Sequence, residues 1–346
     1  MARKPAQKTD VRQARRGRCG SPRGRGQASS IPRVTWRGID AAEGVARRFF
    51  KLETLASATE FALQRGERFI LSSVRHVTGE APIERLSFEF FTETSAKLVF
   101  RVRAATATRK EALFAFVVAK DAEPYSARMA AERANLALLA RRTPDAVLAV
   151  LNGGTLHLPD RYRRAGGGRD IYAYMARWPV GYHELGVGRR DAFFLPGPTP
   201  QPLTPAQTQA IKAQVVALVA ATYNPASHDA IEMPDLCDGD LLATHPRSGA
   251  VRIRFLTCRG MVKRTSRSKV LHKALSHQYV WQGERIPLAP QAPDLVVDAL
   301  ARRLGAEMSR VWLLEYIGAV RDGRFLAPRT FSIDLLEQAL GDGGTP

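Results

Sequence analysis

The chain passes through three regimes of apolar and polar patterning. Residues 1–33 have no periodic apolar positions and are rich in Arg, Gly, Ser, Pro and Gln. From about residue 40 a pattern sets in. Phe49, Phe50, Leu52, Leu55, Phe61 and Leu63 spread over a broad stripe, which predicts a helix over 40–65. Three runs of strand character follow, at 86–91, 97–104 and 112–120. The middle run alternates with period two: Leu98, Phe100 and Val102 face one way, and Lys97, Val99, Arg101 and Arg103 the other. Short polar loops between the runs predict an antiparallel meander.

Ser126 is placed as the N-cap of a helix running to about 142, where Thr143 and Pro144 stop it. Met129, Glu132, Leu136 and Leu139 fall on one face of that helix, and a carboxylate inside an apolar stripe is the informative feature. Two further strands, 146–151 and 171–178, flank a loop holding Gly166, Gly167 and Gly168. A Pro- and Gly-rich connection over 179–203 comes next.

Thr204, Pro205 and Gln207 then form a helix start, with a capping Thr, Pro at the first helical position and Gln three residues after the cap. Ile211, Val215, Leu218 and Val219 point inward from this helix, which ends near Asn224 and Pro225. An acidic loop at 229–240, a strand at 251–257, a basic segment and mainly helical sequence from Asp294 complete the chain. The pattern predicts an α+β protein. Its parts are a disordered tail (1–33), a helical extension (34–79), an antiparallel-sheet lobe (80–180), a linker (181–203), a mainly helical lobe (204–340) and a flexible end (341–346).

Charge changes the picture. With 52 Lys and Arg against 33 Asp and Glu, the formal net charge is +19 over 346 residues, which points to an anionic partner, nucleic acid or an acidic protein. The first 33 residues hold ten basic residues and one acid, and they have too little to bury to offset their ordering entropy. Cys19, Cys237 and Cys258 form no CxxC pair, which argues against a disulfide framework or a cysteine zinc site and for a reducing cytoplasm. No run reaches the ~20 apolar residues of a membrane span, and the N-terminus lacks the apolar stretch of a signal peptide.

The order of elements over roughly 80–260 resembles the protein-kinase-like superfamily, including its aminoglycoside phosphotransferase branch. Phe116, Val117, Val118, Ala119 and Lys120 look like the strand carrying the nucleotide lysine, and Glu132 like its helix partner. Tyr172 to Trp178 is similar to the last strand and hinge. The stretch Pro234, Asp235, Leu236, Cys237, Asp238, Gly239, Asp240 resembles the catalytic loop, with Asp235 as base and Asp240 where a metal-holding Asn belongs. The resemblance implies a two-lobed fold with ATP and Mg²⁺ as cofactors, held by Lys120, Glu132 and Asp240.

Three departures from that pattern imply lost chemistry. The loop from Thr92 to Lys97 holds no glycine, so its backbone cannot approach phosphates as a Gly-rich loop does. Cys258, Arg259 and Gly260 stand where the metal-binding Asp-Phe-Gly belongs, and neither a thiol nor a guanidinium replaces a carboxylate on Mg²⁺. Asp240 replaces the Asn. The leading expectation is a kinase-like binding or regulatory scaffold that is catalytically degenerate.

Two alternatives stand beside it. One is an active atypical phosphotransferase using the residues named above. The other is a nucleic-acid-binding protein, using the tail and the acid-free segment 259–273 with Arg259, Lys263, Arg264, Arg267, Lys269 and Lys273 as its anion-binding residues. A HExxH pair and a Gly-x-Ser-x-Gly elbow are both absent from the sequence.

Overall fold

The computed structural model describes residues 32–37, 52–64, 68–93, 96–120, 122–157, 170–188, 192–195, 201–232, 236, 240–244, 251–281, 284–286, 291–328 and 332–342. The expected tail lies outside them apart from its last two residues, as does the flexible end apart from its first two.

The chain enters on a strand, β1 (Arg33–Arg37), followed by helices α1 (Leu52–Gln64) and α2 (Arg68–Thr78). The predicted meander is present as β2 (Ile83–Glu93), β3 (Lys97–Thr106) and β4 (Glu111–Ala119). A π-helical turn, Ala122–Ser126, leads into α3 (Ala127–Arg142), and β5 (Val150–His157) and β6 (Asp170–Arg177) follow. These strands form one six-stranded sheet in the order β1-β2-β3-β4-β6-β5. Every pairing is antiparallel except β1 with β2. The reading of 34–79 as helical is therefore corrected at its start. Val34 and Trp36 alternate, and Trp36 stacks on Phe88 with ring centroids 4.4 Å apart.

Strand alternation divides this sheet into two unlike faces. Leu98, Phe100, Phe116 and Val118 are fully buried on one, where Leu55 of α1 with Ile70 and Val74 of α2 join their cluster. Gly154 on β5 allows that approach: a Cβ there would lie 2.6 Å from the Phe69 ring. The other face is open along Arg101 and Arg103, which pair with Glu89 and Glu111 at the surface. It is covered by α3 where Lys97 and Tyr174 stand.

Ser126 does not cap α3. Its backbone is already helical, because the chain turns one π-helical turn earlier, and its hydroxyl accepts from Tyr172 N–H at 2.9 Å. Residues 146–149 are not part of a strand with 150 and 151 either. Phe255 N donates to Ala146 O at 2.7 Å and Leu148 N to Phe255 O at 2.9 Å, while Arg177 N donates to Ala149 O at 2.9 Å.

The connection after β6 is more ordered than a linker. It forms β7 (Tyr182–Glu184), β8 (Gly186–Gly188), β9 (Ala192–Leu195) and β10 (Gln201–Pro202). Helix α4 (Pro205–Ala221) starts as the sequence predicts. Gln207 N donates to Thr204 Oγ1 at 3.3 Å, and Thr204 N to Gln207 Oε1 at 2.8 Å. Apolar on nearly all sides, α4 is the buried axis of a second core.

Around α4 lie β11 (Ala230–Ile231), β12 (Leu241–Thr244), β13 (Ile253–Phe255), β14 (Met261–Val262), α5 (Arg267–Ser276), β15 (Tyr279–Trp281) and β16 (Glu284–Ile286). The chain closes with α6 (Pro293–Leu304), α7 (Ala306–Arg321) and α8 (Ile333–Asp342). Strand β12 pairs with β13 on one side and β7 on the other. The protein is α+β, and among the described residues no helix is long and apolar enough to cross a membrane.

Candidate functional site

Helix α3 carries one carboxylate onto the covered face of the large sheet. Glu132 accepts a hydrogen bond from Lys97 Nζ at 2.9 Å and from Tyr174 OH at 3.0 Å, all three side chains being buried. Strand register explains the meeting. Lys97 pairs with Ala119, and Val117 pairs with Tyr174, so β3 and β6 present Lys97 and Tyr174 on the same face with β4 between them. Burial and the nearby Glu132 charge push the Tyr174 phenol well above its ordinary range, so it stays protonated and donates.

The lysine on Glu132 is thus Lys97 rather than the expected Lys120. Lys120 directly follows the last residue of β4. It is itself 1% exposed, and its backbone N donates to Ala96 O at 3.0 Å, beside the start of β3.

A second buried carboxylate stands at the base of β12. Asp240, 2% exposed, receives Arg259 Nη2 at 2.7 Å and 2.8 Å on its two oxygens, and Thr257 Oγ1 at 2.8 Å. Both donors come from the segment after β13, which the β12–β13 pairing brings back alongside Asp240; Leu256 N donates to Asp240 O at 2.9 Å. The two centres are linked through Cys258. Asn135, one turn beyond Glu132 on α3, donates to Cys258 O at 3.4 Å. Burial, with the charges of Glu132 and Glu232 adding to it, pushes the Cys258 thiol up to about 12.

No family model and no curated protein matches this chain.

Of the other sequence-predicted residues, Asp235 lies outside the described residues. The basic segment 259–273 is not one open loop. Its second half is α5, capped by Ser266 and burying Val270 and Leu271. Arg259 is committed to Asp240, and Arg267 donates to Glu315 at 2.9 Å. Lys263, Arg264 and Lys269 remain exposed, while Lys273 is half-buried. His272 stacks on Phe325 at 4.7 Å, and burial pushes its pKa down, so it adds no charge near neutrality.

A cleft of about 520 Å³ opens where β2, β3 and the turn after β6 meet. Phe91 and Trp178 meet edge to face at 4.9 Å on its wall, Arg101 lies over the Trp178 ring at 5.9 Å, and Tyr182 is also in the lining. Phe193 packs in the second core against Tyr279.

Sequence reading missed Lys97, Tyr174 and Thr257. The one available signal was parity. Lys97 and Tyr174 each occupy the strand set opposite the fully apolar one, and only the crossing of α3 turns that position from surface to interior.

Proposed function

We propose that this chain is a two-lobed, kinase-like protein that acts as a binding or regulatory scaffold and does not transfer phosphate. The sheet order β2-β3-β4-β6-β5 with α3 inserted before the last two strands supports the layout, as does a buried lysine–glutamate pair joining sheet to helix. The observation that carries the loss of catalysis is the Arg259–Asp240 pair. Asp240 stands where the resemblance implies a metal ligand, yet its carboxylate is neutralised by a guanidinium reaching both oxygens.

Among the described residues the set does not fit Mg²⁺. A cation would have to displace Arg259 from a nearly dehydrated carboxylate, and Cys258, with its thiol held protonated, offers no hard oxygen in place of the expected aspartate. In this chemistry catalysis is largely positioning and charge neutralisation, so loss of the metal is severe. The exposed Lys263, Arg264 and Lys269 favour an anionic partner, and the buried free thiol of Cys258 is in keeping with a reducing cytoplasm.

The test is thermal shift and single-turnover kinetics with Mg·ATP. No metal-dependent shift and no turnover are expected. Turnover within the ordinary kinase range of roughly 1–100 per second, abolished by Asp235→Ala, overturns the proposal.

A further inference from the structure

A second cavity, of about 900 Å³, lies away from both buried carboxylates, between α4, α6 and the edge of the β13-β12-β7 sheet. Its inner wall is apolar because α4 places alanines there: Ala206, Ala210 and Ala217 recur on one helical face and leave space where larger side chains would fill it. Ile253 and Ala299 extend this wall. The lining also holds Gln207, Gln214, Tyr182 and four arginines. Arg252 and Arg254 come from β13 and its approach, and Arg302 and Arg303 from the end of α6.

Among the described lining residues Asp145 is the one carboxylate, and it stands 3.6 Å from Arg303. Three guanidinium groups therefore face the cavity without a carboxylate from its described lining. Arg254 is held in place, its guanidinium 4.8 Å from the centroid of the Tyr182 ring, yet its Nε is buried and makes no hydrogen bond. Like charges converging on a concave site raise its affinity for an anion.

We infer that this cavity binds a small amphipathic organic anion, its apolar body lying on the alanine face of α4 and its acidic head on Arg252, Arg254 and Arg302. The apolar wall selects against inorganic phosphate and against a nucleic-acid backbone, neither of which has a hydrocarbon part to bury. The concave shape and apolar lining with a few convergent polar groups are those of a small-molecule site. The inference is independent of the kinase-like reading, since no residue of the Lys97–Glu132 or Asp240–Arg259 centres lines the cavity.

The full chain is titrated with 8-anilinonaphthalene-1-sulfonate, followed by fluorescence, with laurate and inorganic phosphate as competitors. Saturable binding of one probe per chain is expected, displaced by laurate and not by phosphate. Replacing the exposed rim arginines in a double variant, Arg252→Glu with Arg302→Glu, is expected to weaken the probe by at least about tenfold, roughly the effect of losing one charge-assisted contact. Ala210→Trp, which fills the apolar wall, should abolish it with the circular dichroism spectrum retained. If Ala210→Trp unfolds, the rim variant alone decides. Unchanged affinity in the rim variant, equal affinity for the uncharged N-phenyl-1-naphthylamine, or displacement by inorganic phosphate each overturns the inference.

Discussion

Lys97 at the first position of β3 and Glu132 in the middle of α3 form a buried ion pair, Nζ to Oε1 at 2.9 Å, with side-chain exposures of 9% and 11%. The pair fixes α3 against the large sheet from the strand before the one that sequence resemblance singles out. Breaking such a pair by removing one partner costs about 3–5 kcal/mol, because the other charge stays dehydrated. Glu132→Ala and Lys97→Met are each expected to lower unfolding free energy on that scale. The double change Lys97→Met with Glu132→Leu should cost much less than the two combined. Urea denaturation of the four proteins in a cycle measures this, and additive losses would contradict the coupling.

Arg259→Ala leaves Asp240 buried, with Thr257 as its remaining donor among the contacts described above. Half of the Arg259 side chain is exposed, so the expected loss is moderate, about 1–3 kcal/mol. The variant should also show a rise in melting temperature with millimolar Mg²⁺, a rise not expected of the parent. A parent that responds to Mg²⁺ as strongly as the variant would show that Arg259 does not stand in for the cation.

Burial pushes the Cys258 thiol up to about 12 in the folded chain, against an ordinary value near 9. The folded state therefore holds a proton that the unfolded state releases between these values, and stability falls as pH rises through this window. Well below pH 9 the group contributes little pH dependence. In the native protein at pH 8 the Cys258 thiol should remain unreactive towards a disulfide reagent and become titratable on unfolding. Mass spectrometry of the labelled cysteine reports which outcome holds; rapid native labelling at Cys258 would refute the assignment.

Gly154→Ala places a methyl group against the Phe69 ring, where α2 lies on the sheet. Overpacking of this kind costs typically about 1–3 kcal/mol. Combining it with Phe69→Leu should recover part of the loss, as read from the thermal melting midpoint; no recovery would place the strain elsewhere.

The elements legible in the sequence were those specified by local chemistry. The meander, the inward-facing Glu132 and the Thr204–Gln207 cap each follow from alternation, helical spacing or capping chemistry within a few residues. What escaped was set by distant chain. Lys97 belongs to a strand set whose other charged members, Arg101 and Arg103, do face solvent, so nothing local separates it from them. Residues 146–149 look like the start of β5, and only the remote Phe255 draws them away. Arg259 reads as a free cation in a basic run until β12 and β13 pair and deliver it to Asp240. Ser126 has the right chemistry for a cap, but an earlier π-helical turn had already begun the helix.

Residues 146–149 bear on how the molecule comes apart. Their backbone is hydrogen-bonded to Phe255 on one side and to Arg177 on the other, so one short segment is stitched into both sheets. Swinging the large sheet away from β12 and β13 would rupture main-chain bonds that tie both sheets together. The amides of Leu148, Arg177 and Phe255 therefore exchange with solvent deuterium only when both cores open, and the two halves of the protein lose structure in one cooperative event.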